Sequence, residues 1–289
     1  MAGQARQTFE RRQLGMTLRR LRDEAGRTQQ EVADVLGKVR SRVIALEDGS
    51  ATATPEDLTV LLDCYRVSDE ERDTLLALAA QARKRTKRRT HVDVLPDAYR
   101  RFADLEASAN EINWYEPGIV PGLLQSPAYL RAVLAEGEGI WWRRKNVEGD
   151  DRLAFREERQ ARTFESTDQR TLRFVITDDA LRANMGSPDV MREQLAHLRQ
   201  LMGDHSDLTI RVLGNDVYGN PARGNGLLIF GFGDRGAPIG YAEAVPGPST
   251  YYDDQKDTAA MLRAFYRVWE LALSRMESRR LIERILEET

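Results

Sequence analysis

The chain is short of the residues on which most catalytic and secreted proteins rely. Its 289 residues include one cysteine, Cys64, and three histidines, His91, His197 and His205. A single cysteine excludes an internal disulfide. The histidines lack metal-ligand spacing, and no cysteine supports them. No apolar run approaches the length of about 18 residues that a membrane helix needs, and the first residues lack an apolar signal segment. We therefore expect a soluble, cytoplasmic protein. Neither sign of charge dominates: 43 Lys and Arg stand against 46 Asp and Glu, which by itself argues against a nucleic-acid binder.

Sequence-evident catalysis is equally scarce. Residues 231–236 match G-x-G-x-x-G literally, but a dinucleotide fingerprint must next open a helix. Here Ala237-Pro238-Ile239-Gly240-Tyr241 leads into a strand pattern, so the match reads as a hairpin turn. Residues 219–226 lack the Lys-Ser or Lys-Thr ending of a P-loop. The adjacent pairs Asp150-Asp151, Asp178-Asp179 and Asp253-Asp254 read better as helix-start carboxylates favoured by the dipole than as acid–base pairs. We expect no enzyme, no cofactor and no metal.

What is present is concentrated in residues 28–49. Thr28 suits the cap of a first helix whose apolar face is Val32, Ala33 and Leu36. Ala33 is small where a second helix must cross closely, and Gly37 can take the left-handed conformation that ends a helix. Val43 and Leu46 hold the second helix to the core. Arg40, Ser41, Arg42 and Ala45 are left on a face that nothing apolar claims. Such a unit is a helix-turn-helix with its second helix available to the major groove.

Its surroundings agree. Leu14, Leu18, Leu21 and Ala25 lie at helical spacing before it, and Thr54-Pro55-Glu56-Asp57 opens another helix after it. Ser68-Asp69-Glu70-Glu71 fits a capping box before Leu75, Leu76 and Ala79. Charge divides along the chain as well. Residues 1–90 hold 18 basic and 14 acidic side chains, and the remainder 25 and 32. A basic head on an acidic body suits a DNA reader whose second part does not touch DNA. Six of the head's positive charges sit in Arg83-Lys84-Arg85-Thr86-Lys87-Arg88-Arg89, a candidate phosphate track or a solvated helix end with its linker.

Five helices in about 70 residues, with the pair second and third, resemble the lambda-repressor and Cro architecture. Leu18 to Arg22, Thr28-Gln29, Ala33, Gly37, Ser41, Val43, Glu47 and Gly49 resemble the Xre family of bacterial regulators. The segment from Tyr115 to Ala132 resembles the opening of the C-terminal domain of a large group of actinobacterial Xre-type regulators, often described as antitoxin-like. Glu158-Arg159-Gln160, Leu181-Arg182, residues 191–198, Tyr241-Ala242-Glu243 and Ala272-Leu273-Ser274 are similar to later parts of that domain. The chain departs from it at Asp178, where Glu is usual, and in residues 218–226, which lack the usual His. The resemblance implies transcription regulation, often beside a gene for a small partner protein, and no settled ligand.

Beyond His91 the pattern is mixed. Residues 96–111, 128–135 and 151–164 read as helices, and 114–127 as an irregular connection. Strand 172–176, helix 187–201 and strand 208–213 favour a parallel crossover. Residues 227–230 and 239–242 look like a hairpin, and two helices close the chain, the second opened by a capping box at Ser274. The expected fold is thus an all-α, lambda-repressor-like helix-turn-helix domain followed by an α+β domain with a small mixed sheet covered by helices. The expected boundaries are 1–82 for the head, 83–95 for a basic linker and 96–289 for a regulatory or partner-binding domain.

Within this frame, Arg40, Ser41 and Arg42 are the candidate base readers, with Ala45 against a thymine methyl. Thr28, Gln29 and Lys38 complete the DNA-binding set, Gln29 on a phosphate beside the amides of its helix. Glu47 orients a neighbouring Arg or caps backbone. Such heads read short half-sites, so a homodimer on double-stranded DNA is expected. Adjacent Trp141 and Trp142 cannot share one helix face. With Arg143, and with Tyr218, Asn220 and Arg223 of the Gly-rich loop, they are candidates for binding a ligand or partner, although packing of one Trp beneath Arg side chains explains them as well. The sequence leaves open a small-molecule effector and a small protein encoded nearby. The rival function is an antitoxin-like interaction protein in which partner binding is primary and DNA binding secondary.

Overall fold

The structure is a computed structural model that describes residues 8–84, 90–140, 146–166, 169–243 and 249–289. In chain order, five helices come first: α1 (Phe9–Glu24), α2 (Gln29–Leu36), α3 (Arg40–Glu47), α4 (Pro55–Cys64) and α5 (Asp69–Arg83). Then follow β1 (Thr90–Val92), α6 (Ala98–Ser108), β2 (Glu111–Glu116), α7 (Pro127–Gly137), α8 (Asn146–Phe164), β3 (Thr171–Thr177), α9 (Asp178–Arg182), α10 (Pro188–Asp204) and β4 (Leu208–Leu213). The chain ends with β5 (Leu227–Gly231), β6 (Ile239–Ala242), β7 (Thr250–Tyr252), α11 (Gln255–Leu271) and α12 (Arg275–Glu288). The division into a helical head and an α+β remainder is as expected. The sheet content is not: seven strands make it larger than the small sheet anticipated.

The chain packs as two units, residues 1–108 with 232–257, and residues 109–231 with 258–289. In the first, α1 to α5 enclose one apolar cluster of Leu14, Leu18, Leu21, Val32, Ala33, Val43, Leu46, Leu58, Leu61, Leu62, Leu75 and Leu78, with Cys64 packed at its edge. Local chemistry sets the helix ends. Thr54 Oγ1 accepts Asp57 N–H with Pro55 at the first helical position, and Ser68 Oγ accepts Glu71 N–H. The Glu71 carboxylate turns to Arg20 (3.1 Å). Of the expected basic linker, residues 85–89 lie outside the described residues and 90–92 form β1, which pairs antiparallel with β7 (His91 opposite Tyr251); β7 pairs with β6.

One face of α1 is bound to this meander and to α6 by polar groups and rings. Phe9 stacks on Tyr251 (4.4 Å between centroids), and Arg12 donates to the Ala237 carbonyl (2.6 Å) from above the Phe232 ring. Burial lowers the Arg12 pKa to about 10. Gln13 Nε2 donates to Asp93 Oδ2, which also receives Arg101 Nε. Arg20 Nε donates to Asp104 Oδ2 (3.1 Å). His91 is 6 % exposed, its Nδ1 lying 2.6 Å from Glu10 Oε1 and its Nε2 3.0 Å from Asp253 Oδ1. Burial alone would lower the His91 pKa, but Asp253 and Glu10 outweigh it and raise the value to about 9.

In the second unit the strand order is β5-β2-β3-β4. β2 and β3 are parallel with Trp114 opposite Phe174, β3 and β4 are parallel with Phe174 opposite Ile210, and β5 is antiparallel to β2. The expected crossover over 172–213 is therefore present. The reading of 114–127 as wholly irregular needs correction, because Trp114, Tyr115 and Glu116 belong to the central strand β2. Ile112 to Tyr115 are buried without alternation, the pattern of a strand covered on both faces, and Pro117 ends the run before it acquires a recognisable length. The rest of that segment is irregular, as read. Leu123, Leu124 and Tyr129 are fully buried, and two glutamines satisfy its backbone. Gln194 accepts Ser126 N–H and donates to the Leu124 carbonyl, while Gln160 donates to the carbonyls of Gly122 and Gln125. At the β4 edge, Leu273 N–H donates to the Val212 carbonyl and Val212 N–H to Ser278 Oγ, which closes that edge to further pairing.

Candidate nucleic-acid interface

The α2–turn–α3 unit forms because each of its ends is satisfied locally. Thr28 and Glu31 make a reciprocal capping box, and Gly37 ends α2 in the left-handed conformation (φ 63°), its N–H and that of Lys38 returning to the last turn. Val32, Ala33, Val43 and Leu46 are buried. A close approach of α1 fixes the unit from behind. A Cβ at Gly15 would lie 2.4 Å from the Glu47 carbonyl oxygen, so only glycine lets α1 cross α3 there.

The outward side carries the expected residues. Thr28, Lys38, Arg40 and Ser41 are exposed, while Gln29, Arg42 and Ala45 are half-buried. They are joined by a polar chain that runs from the core to the surface. Arg22 donates to both oxygens of buried Glu47 (Nε–Oε1 2.6 Å, Nη2–Oε2 3.1 Å), and this bonding raises the Arg22 pKa. Gln29 Nε2 donates to Glu47 Oε2 (2.9 Å), and Gln29 Oε1 accepts from Arg40 Nη2 (3.2 Å) and Nε (3.4 Å). Arg40, the first residue of α3, is thus held by the first residue of α2. Arg42 differs: its Nη2 donates to the Thr52 carbonyl (2.8 Å), tying it to the loop after α3. Sequence reasoning passed over Val39, which is 69 % exposed at the α3 N-cap, and Val35, 53 % exposed on α2. Both are apolar residues outside the core pattern, which was the available signal. Of the basic run, only Arg83 and Lys84 fall among the described residues.

The second group of candidates divides. Trp141, Trp142 and Arg143 lie outside the described residues. Tyr218 is 95 % exposed. Asn220 and Arg223 line a cleft of about 300 Å³ in the second unit, where β2, β3 and β4 end and the connection beginning at Pro117 departs. Asn220 Nδ2 donates to the Tyr115 hydroxyl (2.9 Å), and Arg223 donates to the carbonyls of Asn215 and Val217, folding the loop onto itself. Among the described residues no group of His, Cys, Asp and Glu could hold a metal ion, and no helix is long and apolar enough to cross a membrane.

A capped helix pair around a left-handed glycine, on a five-helix core with cationic side chains facing outward, defines a DNA-binding helix-turn-helix protein. Residues 13–75 match the family described as Helix-turn-helix domain. Residues 99–284, more than half of the chain, match the family described as Domain of unknown function (DUF5753), and the protein belongs to that family. No curated protein matches the chain.

Proposed function

We propose that the protein is a sequence-specific transcriptional regulator of the Xre type that binds double-stranded DNA in the cytoplasm as a homodimer, and that its C-terminal region answers to an effector rather than performing catalysis. The observation that carries this reading is the chain Arg22–Glu47–Gln29–Arg40. It presents a guanidinium at the exposed start of α3 with its orientation set from the core. Gln29 occupies two of the five N–H donors of Arg40, and the remaining three suffice for the N7 and O6 acceptors of a guanine. Ser41 and exposed Val39 flank it, Val39 offering apolar contact to a thymine methyl. Thr28, Lys38 and the free amide hydrogen of Gln29 serve the phosphates. Arg42, engaged with Thr52, buttresses the loop. One head reads a few base pairs, so two heads are needed for useful specificity.

The test is selection of a preferred site by the full chain, followed by binding of Arg40→Ala to that site and to random DNA. Loss of about 1–3 kcal/mol at the selected site with little change on random DNA supports base reading. Equal loss on both assigns Arg40 to the phosphates alone.

A further inference from the structure

The cleft at the ends of β2, β3 and β4 has a floor of two hydroxyls. Tyr115 and Thr177 are 1 % and 3 % exposed, and each hydroxyl already accepts a hydrogen bond. Tyr115 takes Asn220 Nδ2–H, and Thr177 Oγ1 takes Gly118 N–H (2.8 Å). Each O–H proton is then left to donate into the cleft, since neither hydroxyl donates to another of the described residues. An acceptor group brought in by a ligand would take both hydrogen bonds.

Two opposite charges stand around this floor. Arg223 donates to backbone carbonyls and has no carboxylate partner among the described residues. Asp179 is exposed at the start of α9; one oxygen accepts its neighbour's N–H (2.9 Å), and no cation pairs with it among the described residues. Both line the same volume, and they act on the Tyr115 hydroxyl with opposite signs, Glu116 adding to the effect of Asp179. That volume, about 300 Å³, is at the lower end of the range for small-molecule sites. It lies outside the carboxyl ends of parallel strands, where ligands of open α/β sheets bind.

We infer that this cleft binds a small zwitterion of the amino-acid type, its carboxylate received by the Tyr115 and Thr177 hydroxyls beside Arg223 and its ammonium by Asp179. This inference rests on the reading of the C-terminal region as effector-responsive and names the effector's chemistry. Carboxylate alone would meet Asp179 with like charge, and amine alone would leave the two floor donors unmet. The charge pair therefore selects molecules carrying both groups.

The experiment uses the full chain. Each standard L-amino acid and β-alanine is titrated at up to millimolar concentration by calorimetry, together with the matching acids that lack the amine and amines that lack the carboxylate. At least one zwitterion is expected to bind, and its one-group analogues to bind about tenfold more weakly or worse. Asp179→Asn keeps the bond from Ala180 N–H and should unfold at the wild-type temperature without ligand, whereas Tyr115→Phe keeps the ring but takes the acceptor from Asn220 Nδ2 and should unfold somewhat lower. Each should weaken zwitterion binding about tenfold or more. Absence of binding by every zwitterion, equal binding of a one-group analogue, or unchanged binding in both variants would overturn the inference. DNA binding of the same preparations is measured in parallel. Its failure with zwitterion binding intact counts against the regulator and leaves the cleft standing; the reverse result removes the cleft alone.

Discussion

Removing one side of the Arg22–Glu47 pair tests the scaffold beneath the DNA-binding face. Their side chains are 9 % and 4 % exposed and joined by two hydrogen bonds. Glu47→Met leaves the buried Arg22 guanidinium with only the exposed Asp23 carboxylate and the Arg27 carbonyl as partners, and Arg22→Met leaves a buried carboxylate without its cation. Losing one partner of such a pair costs about 3–5 kcal/mol, a large share of the roughly 5–15 kcal/mol that stabilises a domain. With a urea dependence of about 2 kcal/mol per M, the first unit's midpoint should fall by about 2 M in either variant. The double variant removes both charges and should regain most of that loss, since a buried pair and an apolar replacement of similar volume are often of equal stability. DNA binding should not return with it. Gln29 Nε2 loses its acceptor on Glu47, Arg40 loses its fixed support, and specific binding should remain weaker while random-DNA binding is kept. The assays are urea unfolding by circular dichroism and binding to selected and random DNA. A single-variant cost below about 1 kcal/mol, the level of an exposed pair, would refute the reasoning, as would a double variant no more stable than the worse single one.

Other outcomes follow from the same packing. The His91 pKa lies above its ordinary 6.5, at about 9, so its contribution is complete below pH 6.5 and disappears as pH rises through 9. Stability of the first unit should fall by on the order of 3 kcal/mol across that window, and His91→Gln should flatten the fall in pH-dependent unfolding. Gly15→Ala places a methyl against the Glu47 carbonyl and should lower the stability of the first unit by an amount typical of overpacking, about 1–3 kcal/mol in urea unfolding, with loss of specific DNA binding. A fragment ending at Arg89 keeps the α1–α5 cluster but leaves Phe9, Arg12 and Gln13 without Tyr251, Ala237 and Asp93. It should unfold at lower urea than the same helices in the full chain, and equal midpoints would show that those contacts add nothing.

The residues that specify the DNA-binding unit act on their near neighbours, which is why they are legible in order of sequence. Thr28 bonds three residues ahead, Gly37 closes the turn behind it, and Val32, Ala33, Val43 and Leu46 repeat at helical spacing. Thr54, Ser68 and Ser274 announce helix starts in the same way. Sequence order says nothing of groups that meet only after folding. Gly15 resembles any helical glycine until α3 lies against it. β2 lacks alternation because strands on both sides and covering layers bury it, so its few residues merge with the loop that follows. The return of residues 232–257 to pack on α1 joins positions more than 200 apart. The Tyr115 and Thr177 hydroxyls share a cleft only because parallel strands end side by side. Caps and periodicity are local and act through a few covalent steps. Register, close crossing and shared cavities depend on contacts across the chain, which only the tertiary fold creates.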